Sequence, residues 1–249
     1  MFALLDNKEL PIDHSPLLAK NHQFFLKQLA GANLRILHRG LQRLNIVDIM
    51  LTRNQDNPQL IFESLNSDGV KLSHADLIRN YVLMGQEIDF QSKLYNDYWF
   101  PMEKHFREEF KEKSDAFDRF IRDYLTLKTE KIPTLGKIYD EFRNYIPLKF
   151  RNYTSFIENS EQVKETVEDI FCYSKYYVDI AVPREEDQQI RECLKDIQEL
   201  NVEVIRPFLL GVYEDYAHDR IGRADVIQIL QLVESYIFRR SICDMPTRN

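Results

Sequence analysis

Four polar side chains stand among apolar and turn-forming residues in the segment IFESLNSDGVKLSHADLIRN, residues 61–80. They are one carboxylate, two amides and one guanidinium: Glu63, Asn66, Asn80 and Arg79. Gly69 is expected to turn the chain between two helices, and Ser73 with Asp76 has the S-x-x-D pattern of a capping box. A turn that gathers these groups could orient a phosphate, a metal ion or an arginine from another element. The alternative, which the residue types alone favour, is a compact structural corner.

A second set of residues forms a cationic stripe. Arg35, Arg39 and Arg43 recur every four residues and therefore share one face of a predicted helix. The leucines of the same segment lie largely on another face: Leu34, Leu37, Leu41 and Leu44. The stripe could contact the phosphates of nucleic acid. The alternative is an ordinary solvated face, which the net charge of −7 for the whole chain favours.

Basic and aromatic residues alternate in RNYIPLKFRNY, residues 143–153, a pattern that could stack bases and hold a nucleic-acid backbone. Aromatic side chains packed between helices, with cations reaching outward, explain the same letters and are the favoured interpretation. Arg239 and Arg240, near the end of the chain, are further candidates for nucleic-acid contact. A helix C-terminus also simply favours cations.

Several common catalytic and binding motifs are absent from the sequence. It has no C-x-x-C, H-E-x-x-H, G-x-G-x-x-G, Walker A or G-x-S-x-G pattern, and its six histidines are dispersed. The three cysteines lie far apart at positions 172, 193 and 243, and we expect them to be reduced thiols. These residues predict no catalytic site, no metal site and no cofactor in this chain.

Composition and periodicity predict a mainly α-helical multi-helix bundle. The 249 residues are 44% hydrophobic and include only 7 glycines, which argues against a β-sandwich or a disordered chain. After two N-terminal helices, the β-branched run around residues 46–52 predicts one short unpaired or edge strand. The predicted helices that follow are 90–112 with a kink at Pro101, 115–127, 134–146, 160–181, 185–200, 202–218 and 223–241. No segment has the pattern of a signal peptide or membrane span, so we expect a cytoplasmic protein.

The segment 61–80 resembles the signature FExLNxxGxxLxxxDLxRN of GmrSD-type proteins, which are modification-dependent restriction factors in anti-phage defence. The matching residues are Phe62, Glu63, Leu65, Asn66, Gly69, Leu72, Asp76, Leu77, Arg79 and Asn80. The stretches RPFLLGVYEDY and ESYIFRRSIC, at 206–216 and 234–243, resemble the part of the family that leads into its nuclease domain. The resemblance covers about residues 17–249. It implies nucleotide or pocket contacts for Glu63, Asn66, Arg79 and Asn80, and we expect the partner of Arg79 to be a phosphate or a carboxylate.

The chain departs from that family at both catalytic centres. In the family, a ParB/sulfiredoxin-like nucleotidase domain with an Asp-Gly-Gln-Gln-Arg motif precedes the helical region and an HNH nuclease domain follows it, and neither motif occurs here. The resemblance therefore implies that 1–85 is the C-terminal remnant of a ParB-like domain and 86–249 an all-helical domain. The expected function is a scaffold and coupling region without hydrolytic activity of its own.

The partners implied by the resemblance are the nucleotidase and nuclease domains, in cis or in trans, and DNA through those domains. The resemblance implies a nucleotide and a divalent metal as possible cofactors of the full-length protein, and we expect none for this chain alone. The alternative function is a non-enzymatic all-helical protein–protein interaction module.

Overall fold

The computed structural model describes residues 16–46, 48, 50, 72–84, 86–110, 115–150 and 159–243. It divides into two compact units, Met1–Gln55 and Asp56–Asn249. The first unit contains helices α1 (Pro16–Leu29) and α2 (Leu34–Leu41). The Asn33 side chain caps α2 by accepting hydrogen bonds from the next turn's backbone N–H groups.

The described part of the second unit is a bundle of helices. In chain order it contains α3 (His74–Leu83), α4 (Ile88–Leu94), a π-helical turn (Tyr95–Trp99), α5 (Phe100–Glu109), α6 (Ala116–Thr129), a 3₁₀ turn (Leu135–Lys137), α7 (Ile138–Phe150), α8 (Ser160–Ala181), α9 (Gln188–Glu199), α10 (Arg206–Ala217) and α11 (Arg223–Ile242). Helix α8 packs against α10, α5, α6 and α3, so it lies at the centre of the bundle. The prediction of a mainly helical chain is confirmed for the described residues.

The helix predicted over 90–112 is divided by the π-helical turn at Tyr95–Trp99. Pro101 lies in the first turn of α5, where its missing N–H costs no hydrogen bond within that helix. The wider turn absorbs the discontinuity, as single π turns do within α-helices. It also places the Trp99 side chain fully inside the core.

Aromatic side chains dominate the core. The ring of Phe106 lies within 6 Å, between centroids, of four other rings, those of Phe110, Phe117, Phe120 and Tyr177. Large rings fill the space between helices and contribute contact energy beyond their buried area. Helices α6 and α10 approach closely at Gly211, where a Cβ would lie 3.3 Å from Cδ1 of Leu127.

One ion pair joins the N-termini of α9 and α11. Asp187 caps α9 by accepting from the N–H groups of Gln189 and Ile190, and it also accepts two hydrogen bonds from the Arg223 guanidinium, Nη2–Oδ1 being 3.0 Å. The bonds from Arg223 and from the backbone lower the pKa of Asp187 to about 2. Two helices that pack extensively are thereby fixed at one end.

The predicted strand near 46–52 is wrong for the residues that the structure describes there. Ile46, Asp48 and Met50 adopt no strand conformation, and Ile46 is 92% exposed. A strand needs a partner for its backbone N–H and C=O groups, and no strand is present among the described residues to supply one. Residues 47, 49, 51 and 52 lie outside the described residues.

The domain boundary predicted at residue 85 stays a prediction. Helix α3, which that boundary assigns to the first domain, packs against α7, α6 and α8. No helix in the described part of the chain is both long enough and apolar enough to cross a membrane.

Candidate functional site

The start of helix α3 is held by two acceptors, one local and one from a distant helix. The Ser73 hydroxyl accepts from the Asp76 N–H at 3.1 Å and donates to the Asp76 carboxylate at 2.7 Å. The carboxylate of Asp118, on α6, accepts from the backbone N–H groups of His74 at 3.2 Å and Ala75 at 2.8 Å. A negative charge at this end of a helix also interacts favourably with the helix dipole. The predicted N-cap at Ser73 is confirmed, and α6 adds an anchor.

Arg79 lies one turn further along α3 and pairs with two carboxylates. Its Nη1 donates to Oε1 of Glu103 at 2.6 Å, and its Nη2 pairs with Oδ1 of Asp76 at 3.1 Å. The buried Trp99 indole N–H donates to the same Glu103 oxygen at 3.0 Å. Glu103 therefore links α3 to the π-helical turn and α5. This arrangement assigns Arg79 an internal carboxylate partner.

The structure reaches only part of the candidate site at 61–80. Glu63 and Asn66 lie outside the described residues, so their position relative to Arg79 stays a prediction. Asn80 is half-buried on α3 next to Arg79.

The cationic stripe of the first unit is exposed. Arg35 and Arg39 lie in α2, Arg43 follows its C-cap, and no ion pair reaches them from the described residues. Residues 16–46 contain five lysines and arginines and no aspartate or glutamate. This charge contrasts with the net charge of −7 for the chain.

The other basic candidates are engaged within the bundle to different degrees. Arg240 donates to the Tyr236 hydroxyl at 3.0 Å, whereas Arg239 is exposed at the end of α11. In the 143–153 stretch, Tyr145 is buried and Lys149 pairs with Glu165 at 3.3 Å. The Phe150 side chain, Arg151 and Tyr153 lie outside what the structure describes. For Tyr145 and Lys149, packing between helices accounts for the alternation.

Sequence reasoning missed a polar network between α6, α7 and α8. Asp169 accepts a hydrogen bond from the Tyr124 hydroxyl, and it pairs with the ammonium groups of Lys128 at 3.3 Å and Lys149 at 4.0 Å. Lys128 also donates to the Tyr173 hydroxyl at 3.0 Å. Burial, the largest effect, raises the pKa of Tyr145 to about 12 and that of Tyr124 well above its usual value. These phenols therefore stay protonated and act as hydrogen-bonding groups.

A second missed cluster lies at a cavity of about 310 Å³ that is lined by residues of α5, α6, α8, α9 and α10. Glu203 accepts from Nη1 of Arg119 at 2.9 Å and pairs with Nη2 of Arg206 at 3.1 Å. Arg206 also donates to the Tyr177 hydroxyl at 3.2 Å. A signal was present in the helix FDRFIRDY, where charged residues recur beside core aromatics. Glu203, the partner of Arg119, lies more than eighty residues further along the chain, and the spacing of residues within one helix cannot predict such a contact.

The carboxyl group of Asp123, on α6, receives no hydrogen bond or ion pair from the described residues. Burial raises the pKa of Asp123 to about 7, and the charge of Arg206 offsets part of this effect. Unpaired, partly buried carboxyl groups are uncommon in protein interiors and often mark functional positions.

No family model, no curated protein and no solved structure matches this chain. The described residues also contain no group of three or more His, Cys, Asp or Glu side chains that could hold a metal ion.

Proposed function

We propose that this chain is the helical scaffold and coupling region of a GmrSD-like, DNA-targeting defence nuclease. In this proposal its helices join a nucleotide-sensing domain to a nuclease domain, and the 61–80 segment completes a pocket of the first. The proposal rests on the signature residues in 61–80 and on one structural observation, the uncovered apolar surface of α1 and α2.

That surface supports a role in docking another domain. None of the residues of α2 is buried, and Leu34, Leu41 and Leu44 are each more than half exposed. On α1, Phe24 and Phe25 are 55% and 61% exposed. Several large apolar side chains exposed in one short region often mark an interface. A nucleotidase domain in cis or in trans is the partner we propose for it.

The anchoring of α3 supports the coupling part of the proposal. The signature ends at Arg79 and Asn80, and Arg79 is tied through Glu103 to the π-helical turn and α5. A displacement of the 61–80 segment would therefore be transmitted to α5 through the contact of Arg79 with Glu103. In the proposed machine, this is how ligand binding at Glu63 and Asn66 would be transmitted.

DNA contact is assigned to the cations that the bundle does not neutralise. Arg35, Arg39 and Arg43 are exposed, and Arg239 is exposed at the end of α11. Arg240 joins this set with one hydrogen bond already made, to Tyr236. Each phosphate contact would add about one released counterion to the salt dependence of binding.

The test is phage plating on bacteria that express the chain from its own locus, with Glu63→Ala and, as a matched control in the same segment, Ser64→Ala. We expect protection against phages with modified DNA to be lost in Glu63→Ala and kept in Ser64→Ala. The melting temperature of purified Glu63→Ala should equal that of the wild type. Protection that survives Glu63→Ala, or a locus that gives none, contradicts the proposal. A fall of several degrees in Glu63→Ala indicates the structural corner instead.

The same uncovered surface also fits the second candidate, a non-enzymatic protein–protein interaction module. The two functions differ in how binding responds to salt. Weak DNA binding that falls steeply with salt favours the nuclease component. A single protein captured after nuclease treatment, with no DNA binding at low salt, favours the interaction module.

A further inference from the structure

The cavity in the second unit has two chemically different halves. Its apolar wall includes Phe110, Ile180, Leu194 and Ile197, and its polar wall carries the arginine pair bridged by Glu203. A volume of about 310 Å³ is at the lower end of the range for small-molecule sites. Such sites combine an apolar lining with a few converging polar groups, which is the arrangement here.

Both arginines have N–H donors that the hydrogen bonds of this cluster do not use. Arg119 uses its Nε and Nη1 groups for Asp115 and Glu203, and Arg206 uses its two Nη groups for Tyr177 and Glu203. A guanidinium has more N–H donors than these bonds use. The Arg206 side chain is only 16% exposed and its orientation is fixed by two partners. Its remaining donors therefore need acceptors that water or a ligand must supply.

The charge balance at this end of the cavity favours an acceptor that is negative. Arg119 and Arg206 share Glu203, and Arg119 also pairs with Asp115, whose side chain is 54% exposed and solvent-screened. Because burial raises the pKa of Asp123 to about 7, its carboxyl group is partly protonated near neutral pH and compensates Arg206 incompletely. Glu109 also lines the cavity, and it pairs with Arg184 at 3.0 Å. Among the other charged residues of the lining, two arginines are balanced by one carboxylate, that of Glu203.

We propose that this cavity binds a small organic anion, with its apolar body against Phe110, Ile180 and Leu194 and its carboxylate or phosphate monoester on Arg119 and Arg206. The two oxygens of such a group match the planar fork of a guanidinium. The site lies within the helical bundle and does not depend on the proposed nuclease function.

The test is to titrate the purified chain with benzoate, with phenyl phosphate and with benzyl alcohol, which is the neutral analogue. Calorimetry and thermal melting measure the binding. Variants are Arg119→Met, which keeps the aliphatic stem, and Arg107→Met, a matched loss of an exposed cation on α5 away from the cavity lining. A third variant, Val182→Phe, places a larger side chain at the half-buried cavity wall.

We expect one molecule of benzoate or phenyl phosphate to bind per chain, with benzyl alcohol about tenfold weaker or more. Arg119→Met and Val182→Phe should each weaken binding of the anions by about tenfold, and Arg107→Met should leave it unchanged. The comparison of benzoate with phenyl phosphate identifies which anionic group the site prefers. Equal binding of alcohol and anions, an equal effect of Arg107→Met and Arg119→Met, or no saturable binding by any probe overturns the proposal. If Arg119→Met does not fold, Val182→Phe decides.

Discussion

The buried position of Asp123 is expected to lower the free energy of unfolding of the chain when its carboxyl group is charged. Its carboxyl group, on α6, interacts electrostatically with Arg206, Arg122 and Arg119 but receives no hydrogen bond or ion pair from the described residues. Leaving a buried polar group unpaired costs free energy that a folded protein normally avoids. A carboxyl group in such a position is a candidate for function.

The pH dependence of stability tests this placement. The pKa of Asp123 is about 7 in the folded chain against an ordinary 3.8. Between pH 4 and 7 the unfolded chain releases this proton while the folded chain keeps it, so the group's contribution to stability falls as the pH rises. Asp123→Asn should remove that fall and raise the free energy of unfolding by roughly 1–3 kcal/mol at pH 8, with little change at pH 4.

Urea denaturation of wild type and Asp123→Asn from pH 4 to pH 8 measures the difference. Asp196→Asn, a substitution at an exposed carboxylate on α9, is the control and should follow the wild type. If Asp123→Asn and wild type keep the same difference in stability at every pH, the carboxyl group is not protonated in the fold and the interpretation fails.

Helix α3 depends on acceptors that come from outside it. Ser73 caps it locally, but Asp118 on α6 supplies the carboxylate that receives the N–H groups of His74 and Ala75. The Asp118 carboxylate therefore satisfies backbone donors at the start of α3 and also holds α3 against α6.

Removing this cap should loosen α3 before the rest of the bundle. We expect Asp118→Ala to lower the free energy of unfolding by about 1–2 kcal/mol and to speed amide exchange in residues 74–78. Asp118→Asn keeps an oxygen acceptor and should lose less. Asp140→Ala, an exposed acid on α7, should change neither quantity. Uniformly faster exchange across all helices in Asp118→Ala would contradict a local role.

At the scale of single helices, the sequence predicts features that depend on neighbouring residues, such as the extent of a helix and its N-cap. The apolar spacing places α8 at 160–181, which is its observed extent, and the prediction of 223–241 for α11 differs by one residue. What fails is what depends on distant contacts. The π-helical turn before Pro101 was predicted as a kink, and the partnership of Arg79 with Glu103 spans 24 residues that no spacing rule connects.

The candidate site was predictable only in part for the same reason. The N-cap at Ser73 follows from one short motif, whereas the arginine pair facing the cavity joins residues of α6 and α10 that meet only in the folded bundle. The strand near 46–52 was predicted from β-branched composition, which is a weak guide unless a partner strand exists.

Over the whole molecule, charge and apolar surface are distributed unevenly. Residues 16–46 carry five cations and no acid although the chain is acidic overall, and the same helices leave leucines uncovered. On α2 the cations and the apolar residues lie on opposite faces of the helix, since Arg35 and Arg39 are out of register with Leu34, Leu37 and Leu41. A face with this composition is typical of a surface that another protein covers.

If another surface normally covers this face of α2, the face should be exposed to solvent when the chain is isolated. We expect it to bind a fluorescent apolar dye and to self-associate with rising concentration. Leu37→Glu combined with Leu41→Glu should suppress both, and the main melting transition should shift by less than about 2 °C because no residue of α2 is buried. Arg39→Glu combined with Arg35→Glu adds at least as much negative charge on the opposite face and should leave dye binding in place. Loss of dye binding in both double variants would mean that charge alone governs it. A large drop in melting temperature in the leucine variant would mean that α2 already packs within the fold, and the docking role proposed for it would then be untenable.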